Sequence, residues 1–390
     1  MGSVKKTVCI SGLGYIGLPT ACVLANSNYA VLGVDINKNV ITKIQSAKIV
    51  NLEPGLQDLL IRVIQNGSLT LSIKPNYADV HIITVPTPLD RKNRPDISYV
   101  NAAMVAIQPY LRKGSLVLIE STCPVGTTKE LAYKLRNNCP NVHVAYCPER
   151  VLSGNIIYEL IYNDRIVGGI DSVSTSRAAE FYRSFVRGEV LTTNAQTAEL
   201  VKLAENTYRD VNIAYANELS ILADYMDIDV YNLIKLANKH PRVQILNPGT
   251  GVGGHCIAID PQFLISAAPN LTNFISKARE VNVQKTNWVI QRIKNVIKRT
   301  NASIVACLGL TYKPNTSDTR ESSALTIIQE LKKEIEVLCV DPYVPETIDP
   351  YEAISRANIV IGLVAHDLFL SIPKDLLVNK IILDFARVFK

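Results

Sequence analysis

The sequence predicts an α/β protein: two Rossmann-like doubly wound domains joined by a helical central segment with a long helix. Three observations carry this. Short apolar runs alternate with helical stretches from residue 6 onward, the apolar spacing turns helical from about 197, and the alternation resumes near 300. The implied division is 1–196, 197–299 and 300–390, and a chain of 390 residues has room for two to three domains.

The first element is a strand, Lys6 to Ser11 (KTVCIS), followed at once by Gly12-Leu-Gly-Tyr-Ile-Gly17. A helix follows from Leu18 to Asn26; its Pro19 falls in the first turn, where a missing N–H costs little. Ala30 to Val34 is the second strand and ends at Asp35, and His81–Val85, Ser115–Glu120 and Val142–Tyr146 continue a parallel sheet. Leu200, Leu203, Ala204, Ile213, Leu219, Ile221, Leu222 and Leu233 then recur at helical spacing, and a second helical stretch covers Phe274 to Lys298. Ser303–Leu310, Glu336–Asp341, Asn358–Val364 and Ile381–Asp384 supply the second sheet, with no sequence repeat linking it to the first.

Composition narrows the function classes. At 47% hydrophobic and 19% charged residues, the chain can build a substantial core and is not a disordered one. Lys plus Arg is 41 against 35 Asp plus Glu, a net charge of +6 with no basic block. That disfavours nucleic acid and suits an anionic small ligand. No stretch approaches 18 apolar residues without a charge or breaker, and the N-terminus lacks a signal peptide's apolar core, so no membrane span and a cytoplasmic location are expected. The 8 cysteines, at 9, 22, 123, 139, 147, 256, 307 and 339, contain no CxxC pair, so reduced thiols and no metal site are expected.

Gly12-x-Gly14-x-x-Gly17 sits between a strand and a helix, with Asp35 18 residues beyond Gly17 at the end of the next strand. The first glycine allows the tight turn, the second lets backbone approach a pyrophosphate, and the third lets helix pack on strand. An acid at that strand end hydrogen-bonds ribose hydroxyls and repels a 2′-phosphate, which favours NAD over NADP. Thr84-Val-Pro-Thr-Pro88 and Ser121-Thr122 follow later strand ends, where such sheets place their ligand loops; each alone also reads as an ordinary turn.

Three further segments carry chemistry. In Gly249-Thr-Gly-Val-Gly-Gly-His-Cys-Ile-Ala-Ile-Asp260, four glycines precede Cys256, so backbone N–H groups can close on a ligand and stabilise a thiolate. Asp260 could face the same site, His255 reads as a base or a loop-orienting group, and a helix starts near Cys256 or near Pro261. For an isolated cysteine the ordinary role is a small buried hydrophobe, which is the reading for Cys9, Cys22, Cys307 and Cys339. Lys202 and Asn206 lie one helical turn apart and could together donate to an oxygen gaining charge, against the ordinary reading of a solvated lysine. Glu149 in Cys147-Pro-Glu-Arg150 is a candidate general base or water positioner, or else a surface carboxylate paired with Arg150.

GLGYIGLP, TVPTPLD, ESTCPVGTT, CPERVL, AELVKLAENTYRDVNIAYANE, HPRVQILNPGTGVGGHCIAIDP and TYKPNTSDTRES follow one another along the chain. In this they resemble the UDP-glucose/GDP-mannose dehydrogenase family over almost the whole length. The resemblance implies two Rossmann-like domains joined by a long helix that also makes a homodimer or higher oligomer. NAD would bind the first domain and the UDP part of a UDP-sugar the second, with the reaction in the cleft between. It implies oxidation of a sugar 6-hydroxymethyl group to a uronic acid for surface polysaccharide synthesis. GGHCIAID, CPER and HPRVQILNPG are most similar to the branch acting on UDP-N-acetylmannosamine, ahead of UDP-N-acetylglucosamine and UDP-glucose.

By motif, the resemblance makes Cys256 the nucleophile and Lys202 and Asn206 the oxyanion donors. Asp260 and Glu149 would assist water activation, and Thr122 would position a water or the nicotinamide. Gly12, Gly14, Tyr15, Ile16, Gly17, Asp35, Thr87, Thr122 and Arg320 would hold NAD. Arg150, Val151, Lys202, Asn206, Arg242, Gly253 and Lys313 would hold the substrate, with Arg242 coming from its own subunit or from across a dimer interface. Two remote readings contrast with this one. A two-electron β-hydroxyacid dehydrogenase would share the Lys-x-x-x-Asn pair and need no Cys256, and a non-enzymatic NAD or sugar-nucleotide sensor would need none of the three.

Overall fold

The computed structural model describes residues 5–47, 53–152 and 154–389. They form two compact units that divide between Ala204 and Glu205, inside one continuous helix, Ala195–Tyr225.

The first unit is built on an eight-stranded sheet. Its strands are β1 (Thr7–Ser11), β2 (Ala30–Val34), β3 (Leu69–Ser72), β4 (Val80–Ile83), β5 (Leu116–Ile119), β6 (His143–Tyr146), β7 (Arg165–Gly169) and β8 (Val190–Asn194). Their order is β3-β2-β1-β4-β5-β6-β7-β8, and every pairing is parallel except β6 with β7. The order reverses between β1 and β4, so a crevice opens outside the carboxyl ends of those strands. Alternate residues of β5 enter opposite cores, Leu116 and Leu118 one, Val117 and Ile119 the other, as a sheet covered on both faces requires.

The strands read from the sequence are present, with ends that agree to within two residues. β3, β7 and β8 are additions, and the β6–β7 junction departs from the all-parallel expectation. β3 and β8 lie at the sheet's edges and are half polar, and β7 opens on a buried arginine, so none of the three shows the apolar run of the central strands. The helix Gly17–Asn26 buries all but its last residue, and Pro19 lies in its first turn.

The second unit carries β9 (Ile304–Leu308), β10 (Glu336–Val340), β11 (Ile359–Gly362) and β12 (Ile381–Asp384) in the parallel order β10-β9-β11-β12. Val305 and Cys307 face one core, Ala306 and Leu308 the other. The helices Val230–Ala237, Asp260–Ala267, Asn273–Thr300, Ser323–Leu331 and Pro350–Arg356 belong to this unit, with the later part of Ala195–Tyr225. The helix whose start the sequence left between Cys256 and Pro261 begins at Asp260, with Pro261 in its first turn.

The two sheets repeat one device in unrelated sequence. Gly12 at φ +98 donates its N–H to Val34 O at 2.8 Å, and Gly309 at φ +95 donates to Val340 O at 2.8 Å. The acid ending the neighbouring strand then caps the turn: Asp35 accepts from Leu13 N–H at 3.1 Å, and Asp341 from Leu310 N–H at 2.6 Å. In the second sheet His366 Nε2 closes the acid off at 3.0 Å with both side chains fully buried. Among the described residues no helix is long and apolar enough to cross a membrane, and no group of three or more His, Cys, Asp or Glu is placed to hold a metal ion.

Candidate active site

The glycine turn after β1 is set by sterics. A Cβ on Gly17 would collide with the Gly12 carbonyl oxygen, and one on Gly12 would fall 2.8 Å from Thr84 O. Around Gly14, by contrast, the first 4 Å of space is open, so a ligand can reach the backbone there. Asp35 is half-buried and its Oδ1 accepts from Asn37 N–H at 2.9 Å; beside it Ile36 is 86% exposed, an apolar face at the crevice that sequence reasoning passed over. Thr84 Oγ1 donates to Gly12 O at 2.8 Å, tying the strand end before Thr87 to the turn. Ser121 Oγ donates to Val85 O at 2.7 Å and holds the half-buried Thr122 at the end of β5. Tyr15 hydroxyl donates to Glu53 at 2.7 Å, and Ile16 precedes the helix. Open backbone at Gly14, a helix N-terminus and a strand-end carboxylate fit a dinucleotide.

Glu199 anchors the long helix to this region. It is fully buried, and its carboxylate accepts from Gly126 N–H at 2.5 Å and from Thr128 N–H and hydroxyl at 2.7 and 2.6 Å. Burial pushes its pKa up, and those donors hold it partly down. One turn along, Lys202 Nζ donates to the main-chain carbonyl of Glu149 at 2.6 Å.

The Glu149 carboxylate is itself buried and engaged on both oxygens. Oε1 accepts from Arg150 and Val151 N–H at 2.7 and 2.9 Å, and Oε2 pairs with Arg165 Nη1 at 2.8 Å. Arg150 donates its main-chain N–H to this carboxylate, and its Nη1 donates to Asp164 O at 3.2 Å. Arg165, unmarked in the sequence, has its side chain 3% exposed, and the side chain of Glu149 is 8% exposed. Glu120 completes the cluster through Tyr182 hydroxyl at 2.7 Å. Burial, then the Glu149 charge, raises the Glu120 pKa to about 7.

In the second unit the glycine loop is clamped at both ends. Gly249 N–H donates to Asn217 Oδ1 at 2.9 Å, and Thr286 hydroxyl donates to Thr250 O at 2.9 Å. Further along, Gly254 N–H donates to Arg320 O at 3.1 Å, and a Cβ on Gly253 would strike Glu321 O. Cys256 follows, half-buried, and its carbonyl accepts from Ile259 and Asp260 N–H at 3.0 and 2.8 Å. Asn206 Nδ2 donates to the buried Asp260 carboxylate at 2.5 Å, which brings two of the separately predicted site residues together. Burial lifts Cys9 to about 11 and Cys22 and Cys147 to about 12, and also pushes up Cys123 and Cys307, which keeps those five as thiols at neutral pH.

The remaining predicted residues take distinct places. Arg320 forms a two-pronged pair with Asp318, Nε to Oδ1 at 2.9 Å and Nη2 to Oδ2 at 2.6 Å. That bond, then the Asp318 charge, raises the Arg320 pKa, with a smaller contribution from Cys256. His255 Nδ1 lies 3.6 Å from Asp318 Oδ2. Lys313 Nζ lies 5.8 Å from the Tyr312 ring centroid. Arg242 sits on an exposed loop after the helix Val230–Ala237, where its N–H faces His240 Nδ1 at 3.4 Å.

These features define a dehydrogenase with one dinucleotide turn and a separate cysteine-bearing glycine loop. Residues 6–186 match the NAD binding domain of the UDP-glucose/GDP-mannose dehydrogenase family, 196–284 its central domain and 306–390 its UDP binding domain. The chain belongs to this family and is an NAD-dependent oxidoreductase. It is 45% identical over 399 residues to a UDP-N-acetyl-D-mannosamine dehydrogenase of Campylobacter jejuni, covering 95% of this chain and 98% of that one. It is 43% identical to an NDP-N-acetyl-D-galactosaminuronic acid dehydrogenase of Ralstonia nicotianae, covering 97% and 95%. Among solved structures it resembles a UDP-D-ManNAc dehydrogenase from Pyrococcus horikoshii, with TM-score 0.94, 40% identity and coverage of 98% and 96%.

Proposed function

We propose that the chain oxidises the 6-hydroxymethyl group of a UDP-sugar to the carboxylate through a covalent Cys256 intermediate. The substrate we favour is UDP-N-acetyl-D-mannosamine, in keeping with the relative from Campylobacter jejuni; UDP-N-acetylglucosamine and UDP-glucose follow in that order. The observation that carries the reading is the glycine loop: Cys256 is half-buried, and its carbonyl is tied to Asp260, which accepts from Asn206.

Each residue then has a physical task. Lys202 and Asn206 donate to the sugar 6-oxygen as its proton passes to solvent and it becomes an alkoxide, a form of stabilisation that is strong away from water, and the alkoxide becomes the aldehyde carbonyl as the hydride leaves. The Cys256 thiolate adds to the resulting aldehyde carbon and forms a thiohemiacetal. Loss of a second hydride makes a thioester. Water attacks it with Asp260 assisting, the C–S bond breaks, and the thiol is regenerated with the carboxylate. Glu149 serves this site by orienting Lys202 through its carbonyl. Asp35 and the turn Gly12 to Gly17 hold NAD, with Tyr15, Ile16, Thr87, Thr122 and Arg320. NAD when bound accepts the hydride of each oxidation. Arg150, Val151, Arg242, Gly253 and Lys313 hold the UDP-sugar, and the working division of the chain is 1–196, 197–299 and 300–390.

The test is stoichiometry. With a panel of UDP-sugars, two NADH are expected per uronate formed, fastest with UDP-N-acetylmannosamine. One NADH per sugar consumed, with no carboxylate product, would return the chain to a two-electron reading.

The enzyme is proposed to be a homodimer through its long helix. Tyr208, Tyr215 and Leu222, spaced by seven residues and 64%, 56% and 47% exposed, make an apolar stripe along it. Tyr215→Glu is expected to shift the sedimentation profile toward monomer; an unchanged profile rules this face out.

A further inference from the structure

Between the helices Ala195–Tyr225 and Asn273–Thr300 runs a line of buried polar side chains to which the reaction gives no task. Gly249 N–H donates to Asn217 Oδ1 at 2.9 Å. Asn217 Nδ2 donates to Asn282 Oδ1 at 2.9 Å, and Asn282 Nδ2 donates to Asp210 Oδ1 at 2.8 Å and to Asp210 O at 3.0 Å. Arg279 pairs with Asp210 at the far end. Asp210 and Asn217 are 0% exposed and Asn282 is 1% exposed.

We propose that Asn217 and Asn282, oriented by Asp210, are positioning residues that set the glycine loop carrying Cys256. The inference rests on the reading of Cys256 as nucleophile. An amide can present either its oxygen or its nitrogen, and here each choice is forced. A carboxylate accepts only, so Asn282 must turn its nitrogen to Asp210 and its oxygen to Asn217. Asn217 must then turn its nitrogen to Asn282 and its oxygen to Gly249. Reversing Asn217 sets donor against donor at Gly249, and reversing Asn282 sets donor against donor at Asn217 and acceptor against acceptor at Asp210. Leucines could pack the two helices equally well; what they cannot do is offer Gly249 an acceptor.

Beyond Gly249 the loop has no slack through which a shift could dissipate. Thr250 is held by Thr286 at 2.9 Å and by Ser323 at 2.7 Å. A Cβ on Gly251 would strike the Thr286 hydroxyl, and one on Gly254 would fall 2.7 Å from the Tyr312 ring. A displacement at Gly249 is therefore passed on toward Cys256.

Two substitutions at Asn217 carry the test. Asn217→Leu removes the acceptor, and Asn217→Ser keeps a hydroxyl that can accept. Asn217→Leu is expected to lower kcat at least about tenfold, as small misplacements of reacting groups do. Its dissociation constant for NAD should stay unchanged, and the rate of Cys256 labelling by iodoacetamide should change at least about threefold. Asn217→Ser should recover most of both. Wild-type kcat and labelling in Asn217→Leu overturn the proposal, as does an equal loss in the serine variant. If Asn217→Leu does not fold, Asn282→Leu carries the same expectation, and wild-type rates there overturn it. Labelling separates this proposal from the reading beneath it. Full turnover in Cys256→Ser would remove the nucleophile, while a labelling change in Asn217→Leu would still report the loop.

Discussion

Cys256→Ser is expected to abolish release of free uronate, lowering its rate on the order of a thousandfold or more, as loss of a covalent nucleophile does. The argument is chemical. A serine hydroxyl is scarcely ionised at neutral pH, so it adds poorly to the aldehyde; a thiolate adds readily and then leaves readily when water attacks the thioester. The first oxidation does not need the sulfur. The variant should therefore form up to one NADH per sugar and an aldehyde that hydroxylamine traps, and mass spectrometry of the product reads the outcome directly. Free uronate at a rate near that of the wild type would refute the covalent step. Burial holds Cys9, Cys22, Cys123, Cys147 and Cys307 protonated, whereas Cys256 is half-buried and lies within reach of the Arg320 charge.

What the sequence made legible was local. Gly12 and Gly17 betray their turn because any side chain there collides with backbone a few residues away or with the next strand end. Asp35 is legible because its place at the end of β2 follows from strand length alone. Cys256 stands out through the glycines beside it. The unread residues have distant partners. Asn282 meets Asp210 across 72 residues and Asn217 across 65, and no periodicity along one helix signals which polar residue a second helix will face. Arg165 is the sharper case. A charge at the first position of a strand reads as a solvated end, yet here it is sunk against Glu149, 16 residues earlier. Glu149 itself was legible as important, but its carboxylate is committed to Arg165 and to two N–H groups, and what it presents is its carbonyl.

That pair sets the second large effect, a loss of about 3–5 kcal/mol on Arg165→Leu at pH 8. The leucine would leave Glu149 and Glu120 as buried carboxylates without their cation, and Glu120 already has its pKa raised to about 7 by burial and by the Glu149 charge. The sign of the pH dependence follows. A carboxyl at about 7 in the folded chain and near its ordinary value of 4.5 in the unfolded chain binds more protons when folded between those limits. Stability in the wild type therefore falls as pH rises from about 4.5 through 7, by up to about 3 kcal/mol from this group. Glu120→Gln keeps an acceptor for Tyr182 and should remove that fall. It should also recover part of the loss in Arg165→Leu, because one of the two stranded charges is gone. Urea unfolding of the four chains at pH 5 and pH 8 measures all of this. A loss in Arg165→Leu that is the same at both pH values would show that the cation is not what holds the cluster. The same variant should also lose activity at pH 8 even where it is folded. The turn 149–151 is fixed by the carboxylate that Arg165 holds, and Lys202 is aimed by the carbonyl of that turn.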